Sequence, residues 1–127
     1  MQTKAMAWTG RSMTGLVVLF LLFDSSIKLM DMPMVRTATA QLGWPVGLDR
    51  LIGSIELVCL VLYAIPATSI LGAILMTGLL GGAIASHLRL GDPLFSHVLF
   101  GVYIGLMAWG GLWLRDGRLR ALMPLRR

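Results

Sequence analysis

A single cysteine, Cys59, stands in the 127 residues. No disulfide can close within the chain, and no Cys-x-x-Cys pair exists for thiol redox chemistry. Alone, Cys59 reads as a small apolar filler on a helix. Charge is scarce too, at 13% of residues, against about 25% in an ordinary soluble domain. Familiar catalytic signatures are absent. There is no His-Glu-x-x-His, no paired-cysteine metal spacing, no phosphate loop and no serine-nucleophile motif. No Glu-x-x-His pair occurs, which disfavours the di-iron carboxylate type of helix bundle. The two histidines, Asp24 and Glu56 include zinc- and copper-ligating residue types, but no local spacing supports a site, and no metal is expected. Met30, Met32 and Met34 need no copper to explain them, since methionine is a flexible apolar filler. No basic stretch is interleaved with aromatics, so the net charge of +5 does not point to nucleic acid.

What the chain has in quantity is apolar surface. Hydrophobic residues make up 57%, and the mean hydropathy is +0.80. A small soluble domain buries the lowest fraction of its area and could not hide so much. Lipid removes the difficulty. A membrane helix needs roughly 20 mostly apolar residues, and four stretches qualify, at about 11–30, 49–65, 67–90 and 93–114. Pro66 and Thr68 break the long apolar region into a tight hairpin. Gly91 and Pro93 mark a second turn. Between the first two spans, Met34, Val35, Ala38 and Leu42 keep helical spacing, with Pro33 before them and Gly43 after. The expected fold is therefore all-α: a polytopic membrane protein, a single domain over 1–127, with four transmembrane helices and a short interfacial helix between the first and second spans. Ala38-Thr39-Ala40 resembles a signal-peptide cleavage site but lies too far beyond the first apolar run, so an uncleaved first helix is expected.

Lysine and arginine counting sets an orientation. Lys4, Arg11, Arg115, Arg118, Arg120, Arg126 and Arg127 fall on the side of the termini. Arg36, Arg50 and Arg89 fall on the other. Positive-inside bias then puts both termini in the cytoplasm, with Trp8, Trp109 and Trp113 as an inner aromatic belt.

Each apolar stretch carries an ionisable residue: Asp24 and Lys28 in the first, Glu56 in the second, His87 at the end of the third and His97 in the fourth. At about 1.5 Å of rise per residue, all lie within roughly 10 Å of the outer surface. These are the candidate ligand-binding residues, because charge in lipid is costly and commonly marks a functional site. Asp24 and Lys28 are four apart and can pair. That pairing alone, with Lys28 snorkelling outward, is the structural alternative. Glu56 has no partner on its own helix, so it is either protonated or met by Lys28, His87 or His97. His97 shares a face with Gly101 and Gly105, and Gly78, Gly82 and Ser86 repeat that step. Such small-residue faces are expected to pack helices. His87 either points inward or faces the headgroups.

The segments Gly53-Ser54-Ile55-Glu56-Leu57, Leu62-Tyr63-Ala64-Ile65-Pro66 and Leu71-Gly72-Ala73-Ile74-Leu75-Met76-Thr77-Gly78, followed by Gly81-Gly82-Ala83, Ser86-His87-Leu88-Arg89-Leu90-Gly91-Asp92-Pro93 and Trp109-Gly110-Gly111, together resemble the bacterial DoxX-like family over nearly the whole chain. Ala67 departs from the basic residue that the family pattern places after Pro66. The resemblance implies a four-helix protein of the bacterial cytoplasmic (inner) membrane. Its wider group includes small subunits associated with quinone-linked sulfur oxidation, partners of membrane redox complexes, and a distant animal branch resembling receptor-assembly factors. It transfers no catalytic residue and no agreed reaction.

The leading functional expectation is an outward-facing site for a quinone or lipid-like molecule, or an accessory role in a membrane redox system. Phe20, Phe23 and Phe100 would line its apolar part. Quinone is the possible cofactor. Membrane lipid, a membrane-protein partner or a second copy of the chain are the possible partners, and nucleic acid is not. The alternatives are a structural or assembly subunit and, less favoured because four short helices enclose little volume, a small-molecule transporter.

Overall fold

The computed structural model describes residues 3–45 and 47–126. Helix α1 (Lys4–Leu29) opens on the Thr3 side chain, whose hydroxyl accepts from the Met6 N–H at 3.1 Å. It starts a full turn and more before the expected boundary near Arg11, because a capped N-terminus with no breaker after it lets helix extend through Trp8 and Thr9. A short α2 (Pro33–Gln41) follows, with proline in its first turn. Then come α3 (Asp49–Ala64), a 3-10 turn (Pro66–Thr68) and α4 (Ser69–Arg89). The expected last span divides into a π-helical turn (Leu94–Val98) and α5 (Phe100–Arg115). A six-residue α6 (Gly117–Leu122), with Asp116 accepting from the Arg118 N–H, follows beyond the expected last span.

The fold is all-α, with no strand among the described residues. Among the described residues three helical stretches are long and apolar enough to cross a membrane: Lys4–Leu29, Pro66–Arg89 and Leu94–Arg115. The expected count of four does not follow from length alone, since α3 has only 16 residues. In the bundle α1 lies between α3 and α5, and α4 closes the ring against both. The outer faces carry large apolar side chains such as Leu19, Phe23, Val58, Ile74 and Leu106, all exposed.

Close helix crossings rest on glycine. A Cβ on Gly72 would meet the Tyr63 backbone, at 2.6 Å from its Cα, which locks the α3–α4 hairpin. One on Gly111 would lie 2.5 Å from Thr14 Oγ1, where α5 crosses α1. The hairpin's loop is satisfied locally: Thr68 donates to the Leu62 carbonyl at 2.7 Å and Ser69 to that of Ile65 at 2.9 Å.

The packed core fills the half of the bundle nearest that hairpin. Val17, Cys59, Leu60, Met76, Ala108 and Leu112 are buried there around Tyr63, which is fully enclosed. The Tyr63 hydroxyl donates to the Ala108 carbonyl at 2.8 Å and lies 3.1 Å from Thr14 Oγ1, so one side chain ties α3 to α5 and α1. A buried phenol needs such partners. The opposite half of the bundle is hollow.

Candidate functional site

Lys28 sits one helical turn beyond Asp24 on α1, and the two pair as their spacing predicts, Nζ to Oδ2 at 2.7 Å. Lys28 also reaches across to α3 and donates to Glu56 Oε1 at 2.9 Å. Of the partners open to Glu56 from sequence, Lys28 is the one the fold supplies. The approach is possible because Gly53, one turn before Glu56, lets α3 close on α1: a Cβ there would be 2.8 Å from the Lys28 Cβ. Glu56 is only 3% exposed, and its second oxygen, Oε2, has no hydrogen-bond partner.

This triad forms part of the wall of a cavity of about 550 Å³ between α1, α3, α4 and α5. Asp24, Lys28, Glu56, His87 and His97 all line it. The remaining lining is largely apolar, with Phe20 and Phe100 in edge-to-face contact at a centroid separation of 5.3 Å. Phe23, expected there as well, is not among the lining residues and faces outward. It lies one residue before Asp24, about 100° round the helix from the cavity face.

The glycine step on α4 acts otherwise than expected. Gly78 and Gly82 do not pack against a helix; a Cβ on either would meet nothing within 4 Å, and both line the cavity. Their missing side chains create its volume. On α5 the packing expectation holds at Gly101, where a Cβ would come within 2.9 Å of Ile84.

His87 takes the inward option and lines the cavity, held by an acid that sequence reasoning did not single out. Its Nδ1 lies 2.6 Å from Asp92 Oδ2. Asp92 is brought back over the α4 terminus by Gly91, at φ +72°, and by its own N–H donating to the His87 carbonyl at 3.1 Å. A carboxylate only accepts, so the shared proton belongs to Nδ1 and a neutral ring carries its lone pair on Nε2. His97 lies on the π turn, with Nδ1 2.7 Å from Ser96 Oγ, and its ring meets His87 edge-on at 5.7 Å. Short π-helical segments often occur at functional sites.

Thr39, Leu42 and Trp44, from α2 and the loop after it, complete the lining. The Arg36 guanidinium grips Asp31 through two hydrogen bonds of 2.9 and 2.6 Å and holds that carboxyl below its usual range. Arg89 donates to the Leu42 carbonyl at 2.7 Å, fastening the far end of α2 to the end of α4. Neither tie follows a local spacing rule. Asp49, at the start of α3, is buried with Oδ1 unpartnered beside a smaller cavity of about 230 Å³, and it too went unmarked in the sequence. Among the described residues no three His, Cys, Asp or Glu side chains are grouped to hold a metal ion.

No curated protein and no solved structure matches the chain. Apolar helices of membrane-spanning length, together with a match to the DoxX-like family model over residues 12–111, make this a membrane protein that belongs to the DoxX-like family.

Proposed function

We propose that the chain is a four-span protein of the bacterial inner membrane, with both termini in the cytoplasm. In this reading it binds a small amphipathic molecule, a quinone or a lipid, as an accessory component of a membrane redox system. The carrying observation is a cavity of about 550 Å³, apolar over most of its wall, with the five ionisable residues in the rest. That size and mixture suit a ligand pocket. Helix α3 counts as the fourth span. Its 16 residues rise about 24 Å, and local thinning of the bilayer makes up the difference from roughly 30 Å. Helix α2 lies at the outer interface, with Met34 and Trp44 exposed toward lipid. In this reading electrons come from a partner protein or a bound molecule.

Two measurements test this reading. A phosphatase fused to the C-terminus is expected to be inactive and a fluorescent protein fused there to be bright; periplasmic phosphatase activity would overturn the orientation. Glu56→Gln is expected to remain folded, because a neutral amide is cheaper to bury than a carboxylate. A small molecule is expected to co-purify with the unaltered protein and to be lost from this variant. Full retention by the folded variant would defeat a charge-based site.

A second reading, an assembly subunit, is favoured by Gly81, which lies outside the cavity lining and where a Cβ would meet nothing within 4 Å; an open small residue lets a partner helix approach closely. A stoichiometric protein partner without any co-purified small molecule would select it.

A further inference from the structure

We propose that the chamber selects amphiphiles by a hydrogen-bond-donating head, a primary amine above all, and rejects carboxylate-headed chains of the same length. The proposal rests on the reading of the chamber as a binding site and narrows its ligand: of that reading's two classes it favours a lipid amine or the hydroxyls of a quinol, because the carbonyls of an oxidised quinone only accept.

Lys28 spends two of its three N–H bonds on Asp24 and on Glu56 Oε1. Glu56 Oε2 is left buried without a donor. His87 gives its Nδ1 proton to Asp92, which leaves Nε2 as the free nitrogen. The cavity's unspent capacity at these two side chains is therefore accepting. Charge points the same way. With both acids ionised, one ammonium stands between two carboxylates in the triad, leaving one negative charge in excess on side chains no more than 28% exposed. An ammonium head brings the group to neutrality and, once the Glu56 carboxyl turns Oε2 toward the chamber, gives that oxygen its missing donor. A hydroxyl supplies the donor without the charge. A carboxylate supplies neither and adds a second uncompensated charge where solvent screening is weak. The apolar remainder of the wall, including Phe20 and Phe100, then receives the alkyl chain.

The test uses three probes with one tail: dodecylamine, dodecanol and dodecanoate. Each, radiolabelled, is titrated at neutral pH against the full chain in phosphatidylcholine nanodiscs, with empty discs subtracted to remove partitioning into lipid. Saturable binding is expected for dodecylamine, about tenfold or more tighter than for dodecanoate, with dodecanol between, the scale set by leaving a buried acceptor unmet. In Glu56→Gln the gap between amine and carboxylate should close to about twofold, since the excess charge and the bare oxygen are both gone. Filling the chamber with Gly82→Phe should abolish saturable binding of all three probes. Dodecanoate binding as tightly as dodecylamine would overturn the head preference while leaving the chamber a binding site. An amine preference that survives in Glu56→Gln would overturn it as well. No saturable binding of any probe would overturn both the preference and the binding reading. The ranking in the unaltered protein decides the matter even if neither variant folds.

Discussion

Lys28→Met is expected to destabilise the protein by about 3–5 kcal/mol, because it leaves Asp24 and Glu56 facing each other with no cation between them. The loss arises less from the two bonds removed, at 2.7 and 2.9 Å, than from two carboxylates stranded out of water. Methionine keeps the stem volume, so the change isolates the charge. Neutralising the acids should return much of the loss: Lys28→Met combined with Asp24→Asn and Glu56→Gln should be more stable than Lys28→Met alone. Thermal unfolding in detergent, read through a double-mutant cycle for each pair, measures the coupling. Strictly additive losses would mean that the three groups do not interact and that the shared position of Lys28 carries no energy.

Gly72→Leu is expected to have the other large effect, about 3 kcal/mol or more of lost stability. The added side chain begins in contact with the Tyr63 backbone, its Cβ 2.6 Å from the Tyr63 Cα. No rotamer relieves a clash that starts at Cβ, so α3 and α4 must part. Tyr63 moves with them and strains its bonds to Ala108 and Thr14. Even Gly72→Ala should destabilise clearly. Gly81→Ala is the control: a Cβ there meets nothing within 4 Å, and alanine favours helix by about 1 kcal/mol over glycine. Equal thermal stability of Gly72→Ala and Gly81→Ala would show that the hairpin crossing is not limited by this contact.

The common layer of ionisable residues in the candidate site could be read before the fold was known, for a physical reason. A charge within an apolar helix is visible in one dimension, and helix rise converts its position into depth. Asp24, Lys28, Glu56, His87 and His97 were thereby placed in one layer, and the fold gathers them round one cavity. The role of the α4 glycines was not legible. A Gly-x-x-x-Gly step looks alike whether a neighbouring helix fills the gap or leaves it empty, and at Gly78 and Gly82 it is left empty. Asp92 was passed over as a turn residue, because its value lies in folding back onto His87.

Composition and residue pattern are enough to make this an all-α membrane protein of the DoxX-like family. They also place the Pro66 and Gly91 turns and the pairing of Asp24 with Lys28, because composition, breakers and i,i+4 spacing act over a few residues. The sharing of Lys28 with Glu56, the bare oxygen of Glu56 and the hollow half of the bundle beyond Tyr63 arise from the packing of the helices. These depend on which helices are neighbours and how closely their backbones approach, and that is set by side-chain volumes on helices distant in sequence.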